Sequence, residues 1–103
     1  MNIEHKLVGS TLYFGLSGEL DESCAAFVRD TLDSICERNQ MKKVIIDMER
    51  LNFMDSTGIG VLIGRYRKLK TRAVPILIAS PPGAVDRVLK LTGIYDIMPK
   101  IAE

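Results

Sequence analysis

Three adjacent oxygen-bearing side chains, Asp55, Ser56 and Thr57, stand after an apolar β-branched run and before a segment of helical periodicity. All three types can accept hydrogen bonds from the free N–H groups that open a helix. One cap suffices for one helix, so the sequence carries more cap candidates here than the fold needs. A serine hydroxyl at a helix N-terminus also faces the positive end of the helix dipole, which tolerates an added anion. A phosphate ester on Ser56 would be compatible with folding, yet would place a charge of about −2 beside Asp55. Capping and modification both stay open as readings of Ser56 at this level.

The helix that follows raises a second question. At about 100° per residue, Ile59, Leu62, Ile63, Tyr66 and Leu69 share one side, the expected core side. The opposite side carries Thr57, Val61, Gly64 and Lys68, with Arg65 and Arg72 toward its edge. A glycine inside a helix costs roughly 1 kcal/mol against alanine, so Gly64 needs a reason. Either Gly58, Gly60 and Gly64 permit close packing within the fold, or a partner approaches the backbone here. In the second account Val61 is a small apolar contact and Arg65 and Lys68 are its charged rim. Spacing leaves both open. The basic residues Arg65, Arg67, Lys68, Lys70 and Arg72 spread around the helix, as a solvated surface would have them rather than a phosphate site.

Other chemistries fail on detail. The only histidine, His5, lies near the N-terminus in an extended segment, which argues against a Cys–His dyad, a Ser–His–Asp triad or a His-rich metal site. Cys24 and Cys36 are twelve residues apart in one apparent helix, on different faces, unsuited to a disulfide or a shared metal. Asp55-Ser56-Thr57-Gly58 has one residue too many for the aspartic-protease motif, and there is no second copy. Neither a P-loop, a dinucleotide fingerprint nor a Gly-x-Ser-x-Gly elbow is present. An enzyme using Asp55 as base and Ser56 as nucleophile would lack a third group to orient them.

The elements that must position these residues can be read from periodicity. Residues 3–8 and 11–16 flank Gly9-Ser10 and predict a β-hairpin. Cys24, Val28, Leu32, Ile35 and Cys36 predict an amphipathic helix from Asp21 to about Asn39. Residues 44–48 and 73–79 predict buried strands, with Pro75 confined to a strand start or an edge. Residues 84–91 predict a last helix, ended by Gly93, and residues 95–101 a short strand or tail. The order ββαβαβαβ predicts an α/β domain with one mixed sheet of four to five strands and helices packed largely on it.

Composition sets the remaining bounds. A chain of 103 residues with 47% apolar and 26% charged residues predicts a single globular domain spanning 1–103. Its net charge of +1 argues against direct DNA binding and against an anionic membrane as main partner. Residues 1–6 hold no apolar signal core, so a cytoplasmic location is expected, with no cofactor and no metal.

Three stretches together carry a family resemblance: Leu16-Ser17-Gly18-Glu19-Leu20-Asp21, the run from Phe53 through Asp55-Ser56-Thr57-Gly58 to Tyr66, and Leu89-Lys90-Leu91-Thr92-Gly93-Ile94. The middle one is specific. The sequence resembles the STAS-domain anti-sigma factor antagonists, nearest to the anti-sigma-F antagonists of spore-forming bacteria, over nearly its whole length. The resemblance implies a STAS-like fold and a non-enzymatic partner-switching protein of sporulation. Its unphosphorylated form would bind an anti-sigma factor that is also a serine kinase, and so release the sigma factor. Phosphorylation of Ser56 would switch it off and a serine phosphatase would restore it. The resemblance places Asp21 in a loop that meets the kinase, Asp55 beside the acceptor, and Arg65 at the partner surface. Thr57 stands where relatives often have a second serine, and the chain stops at Glu103 where relatives usually add a helix. Two other readings remain: a STAS module of a stress-response or sensory pathway, and the Asp55/Ser56 enzyme.

Overall fold

The structure, a computed structural model, describes residues 1–101. Its order is β1 (Asn2–Val8), β2 (Thr11–Leu20), α1 (Ala25–Glu37), β3 (Lys43–Met54), α2 (Ser56–Lys70), β4 (Ile76–Ala79), α3 (Gly83–Thr92), a single 3-10 turn (Ile94–Asp96) and β5 (Lys100–Ile101). This is the ββαβαβαβ order the sequence predicts. The five strands lie in sequence order across one sheet; β1 is antiparallel to β2 and every other pair is parallel. Right-handed crossovers that each advance by one strand put all three helices on the same face. That face holds the core: Leu12, Phe14 and Leu16 of β2, Val44, Ile46 and Met48 of β3, and Val28, Leu32, Leu62, Val85 and Leu89 from the helices are all buried. The alternate residues Tyr13, Gly15, Ser17 and Asp47 are half-buried on the other face.

Several boundaries move, each for a local reason. β3 runs to Met54 rather than ending at Met48, because its register against β2 shifts twice, between Gly15 and Ser17 and between Gly18 and Glu19. Each shift inserts one extra residue in β3, so Glu49-Arg50 and Asn52-Phe53 are exposed doublets between buried Met48, Leu51 and Met54. The inward residues recur every third position there, and the alternation that marks a strand disappears. β2 extends with it, from Leu16 to Leu20.

Helix α1 starts at Ala25 rather than Asp21, since the Asp21 carboxylate accepts bonds from Ser23 N (3.0 Å) and Ser23 Oγ (2.6 Å) and holds a turn instead. β4 begins at Ile76, after a turn in which Ala73 takes φ 57° and Pro75 supplies a carbonyl to Val44 N at 2.9 Å. α3 ends at Gly93 in the left-handed conformation, φ 74°, as expected. Beyond it, Asp86 Oδ1 accepts from Tyr95 Oη (2.5 Å) and Lys100 Nζ (3.0 Å), and Lys90 Nζ lies 3.1 Å from its other oxygen. One carboxylate thus ties α3 to the 3-10 turn and to β5. Among the described residues no helix is long and apolar enough to cross a membrane. The chain's end at Glu103 lies outside the described residues.

Candidate functional site

The parallel strands β2 and β3 finish side by side, Leu20 opposite Met54, and Asp55 N donates to Leu20 O at 3.4 Å. The loops carrying Asp21 and Asp55-Ser56 therefore emerge from neighbouring strand ends, at the carboxyl edge of the sheet, where α/β folds commonly place their sites. Asp55 is the cap of α2: its backbone is extended, and its Oδ1 accepts from Thr57 N (2.9 Å) and Gly58 N (3.1 Å). Of the three cap candidates the fold uses one. Ser56, the first residue of the helix, is left exposed, and Thr57 half-buried.

Gly58 explains how the helix start is held so close to the sheet. A Cβ on Gly58 would lie 2.9 Å from Leu20 Cγ, 2.9 Å from Met54 Cγ and 3.0 Å from Leu20 O. No side chain fits without displacing Leu20 and the Met54 side chain. On the other side, Asp21 is fixed by its two bonds from Ser23, and the Ser23 hydroxyl bond is the main cause that holds its carboxyl below the usual carboxylate value. The Cys24 thiol donates to Glu19 O at 3.1 Å and closes the same loop. The site thus presents two fixed carboxylates and one exposed hydroxyl.

The faces of α2 differ from those the sequence predicts. Val61 and Arg65, expected on the outward side as contact and rim, are buried, with 8% and 7% exposure. The inward side is centred on Gly58, Leu62, Arg65 and Leu69, rotated from the predicted stripe, while Ile63 and Tyr66 are only half-buried. The reason is α1, which packs along one flank of α2 and covers it. Arg65 Nε lies 2.6 Å from Asp33 Oδ1, and Lys68 Nζ lies 2.7 Å from Asp33 Oδ2. Arg72 Nη1 and Nη2 donate to Cys36 O (2.9 Å) and Asn39 O (3.1 Å). Periodicity finds one apolar stripe, but a helix with neighbours buries its flanks too, and a charged flank looks solvated until its counter-ion on another helix is known. Lys68 does remain exposed, as expected for a rim.

The exposed residues of α2 are Ser56, Gly60, Arg67, Lys68 and Lys70, with Gly64 half-exposed. A Cβ at Gly60 or at Gly64 would meet nothing within 4 Å. The three glycines therefore divide: packing requires Gly58, whereas no packing among the described residues requires Gly60 or Gly64. Ser56, Gly60 and Gly64 follow one another at intervals of four, a strip of bare helix backbone that starts at the serine. For Gly60, which the sequence reading leaves open between packing and a partner's approach, the open space beside it favours the second; the sequence signal is its spacing from Ser56. Asp33 is a site residue that the sequence reading leaves unassigned, legible only through the contact between α1 and α2. Among the described residues no group of three or more His, Cys, Asp or Glu side chains could hold a metal ion.

Comparison with known proteins gives a consistent set of likenesses. The family profile described as STAS domain matches residues 2–103. The anti-sigma F factor antagonist of Paenibacillus polymyxa is 32% identical over 99 residues, covering 96% of this chain and 85% of that protein. The anti-sigma-B factor antagonist of Listeria monocytogenes is 31% identical over 86 residues, 81% of this chain and 72% of that protein. The solved structure of the antagonist SpoIIAA in its unphosphorylated form matches with a TM-score of 0.83 at 28% identity, covering 99% of this chain and 90% of that one. The phosphorylated form of Bacillus SpoIIAA matches with a TM-score of 0.73 at 27% identity, over 99% and 93% of the two chains.

Proposed function

The chain belongs to the STAS-domain family of anti-sigma factor antagonists, and from that premise we propose that it is a cytoplasmic, non-enzymatic partner switch controlled by phosphate on Ser56. The unphosphorylated protein binds an anti-sigma factor with serine-kinase activity and so frees the sigma factor. That kinase esterifies Ser56, the complex separates, and a serine phosphatase restores the hydroxyl. The observation that carries this reading is the exposed hydroxyl of Ser56 at the head of a bare backbone strip, on a helix already capped by Asp55. SpoIIAA, solved in both a phosphorylated and an unphosphorylated form, supports it by likeness.

In this reading Asp21, Thr57, Gly64 and Lys68 border the docking face and Asp55 lies beside the acceptor. Val61 and Arg65 act from beneath, by setting how α1 and α2 meet. The energetics favour a switch over an effect on folding. A phosphate at the helix start gains roughly 0.3–1 kcal/mol from the dipole, so the isolated domain survives it. The same charge buried against a docked surface costs several times as much, and each ~1.4 kcal/mol is tenfold in affinity.

The test is incubation of the protein with its cognate anti-sigma kinase and ATP. The expected product carries one phosphate, on Ser56, and Ser56→Asp weakens kinase binding with the thermal melt nearly unchanged. Full phosphorylation of Ser56→Ala, or equal affinity of the two forms for the anti-sigma factor, would end this proposal. The sigma-F and sigma-B relatives are of similar identity, so the same assay with each class of anti-sigma factor decides between a sporulation and a stress-response role.

A further inference from the structure

The sheet leaves one long edge open. Among the described residues β1 pairs only with β2, and every residue from Glu4 to Val8 is exposed. An edge strand offers its free backbone groups to another strand, and proteins usually guard it by shortness, proline or a bulge. The opposite edge, β5, is guarded in this way: it has two residues and follows Pro99. β1 has seven residues, no proline and an unbroken register against β2. It also carries two exposed apolar side chains, Leu7 (43%) and Val8 (55%).

The hairpin fixes which groups this edge presents. Gly9-Ser10 is a two-residue turn with Gly9 at φ 60°, so Val8 and Thr11 close it as a hydrogen-bonded pair. Bonded and non-bonded pairs alternate along an antiparallel ladder. Val8, Lys6, Glu4 and Asn2 therefore turn their backbone N–H and C=O groups to β2, while Leu7, His5 and Ile3 turn theirs outward. Side chains divide by the same parity. Ile3, His5 and Leu7 stand on the helix side, opposite Leu16, Phe14 and Leu12, and Glu4 and Lys6 stand on the bare side. Among the described residues neither Glu4 nor Lys6 has an ion-pair partner, and Lys6 Nζ rests 5.6 Å from the centre of the Tyr13 ring.

We infer that β1 is a self-association edge, to which a second copy of this chain adds its own β1 antiparallel, with a two-fold axis at His5. In that register all seven residues pair. The outward backbone groups of Ile3, His5 and Leu7 meet those of the partner's Leu7, His5 and Ile3. On the bare side Glu4 stands opposite the partner's Lys6, twice by symmetry, and on the helix side Ile3 flanks the partner's Leu7. An axis at Glu4 or at Lys6 would pair fewer residues and set like charges face to face. Ser56 follows β3, two strands in from this edge, so both copies keep the hydroxyl exposed. Failure of this inference leaves the phosphorylation reading untouched.

Sedimentation equilibrium of the full chain from about 1 µM to about 1 mM tests it, with the mass expected to rise from 11.5 kDa toward twice that. In Glu4→Lys both cross-axis pairs become Lys–Lys, and in Lys6→Glu both become Glu–Glu. Each variant should associate about tenfold or more weakly than the wild type. An equal mixture of the two sets Lys opposite Glu at every such pair and should recover the wild-type affinity. Amide exchange at Ile3, His5 and Leu7 should slow as the wild-type protein associates, a readout that needs no substitution. A mass that stays at 11.5 kDa to about 1 mM, or association that leaves those three amides unprotected, would overturn the inference. So would variants that associate as the wild type does, or a mixture no tighter than either variant alone.

Discussion

The three glycines of α2 allow a prediction in which the sign of the effect changes within two turns. In Gly58→Ala the new methyl carbon meets Leu20 Cγ and Met54 Cγ at 2.9 Å and Leu20 O at 3.0 Å. None of these is the free end of a side chain, so the strand ends or the helix start must move. Overpacking of this kind costs ~1–3 kcal/mol, and alanine's better helix propensity returns at most ~1 kcal/mol. The expected net loss is ~1–2 kcal/mol. Gly60→Ala and Gly64→Ala place their methyl groups in open space and should each stabilise the fold by up to ~1 kcal/mol. At ~4–8 °C per kcal/mol for a domain of this size, Tm should fall in the first variant and rise in the other two. Urea titration gives the free energies, and titration with the anti-sigma factor gives the second half. A methyl group on the strip should lower affinity by about tenfold, ~1.4 kcal/mol, in the two stabilised variants. If Gly60→Ala and Gly64→Ala raise Tm and still bind as tightly as the wild-type protein, nothing docks along that strip. If either lowers Tm, the open space beside it is misjudged.

Two further outcomes follow from the ion pairs. Asp33→Asn strands the buried Arg65 guanidinium and should cost about 3 kcal/mol by urea unfolding, whereas Lys68→Met, on the same carboxylate but 60% exposed, should cost less than ~1 kcal/mol; equal losses would show that Asp33 matters only through the surface pair. The Asp86 carboxyl is held well below its ordinary value, first by the Tyr95 hydroxyl and then by Lys100 and Lys90. A depressed folded-state pKa stabilises the fold above the unfolded value of about 3.9, and that contribution is lost as pH falls below it. The gap in urea midpoint between wild type and Asp86→Asn should therefore be open at pH 7 and close toward about pH 2; a gap that does not change with pH would assign the loss to packing.

How much of this was legible in the sequence depended on whether one element alone set the pattern. The element order was legible because each segment carries its own periodicity, and Gly93 ends α3 by its own backbone freedom. The end of β3 was not, because alternation assumes a regular partner. Two bulges against β2 turned Met48, Leu51 and Met54 into a spacing of three, which resembles neither a strand nor a helix. The start of α1 was lost to the turn that Asp21 makes with Ser23, a bond invisible to hydrophobic patterning. At the site, the strand–Asp–Ser–helix junction was legible, since the residue types and the change of period coincide there. The orientation of α2 was not, because the residue that buries Arg65 is Asp33, on a different helix.

The same distinction bears on how a switch can sit in so small a domain. Asp55 takes over the capping that Ser56 could have performed, and Gly58 presses the first turn onto Leu20 and Met54. The helix start is thus held by the residues on either side of the serine and asks nothing of its hydroxyl. Had Ser56 been the cap, esterifying its Oγ would have disturbed the bond it accepted from Gly58 N or Ile59 N and cost the fold itself ~1 kcal/mol. With the cap moved one residue earlier, the free energy of modification can fall almost wholly on whatever docks against the exposed strip. A direct consequence is that Asp55→Ala should lower Tm, by the ~1 kcal/mol of a lost cap, while Ser56→Ala should not. Comparable losses in the two variants would mean that the hydroxyl shares the capping after all, and that adding phosphate perturbs the fold as well as the docking face.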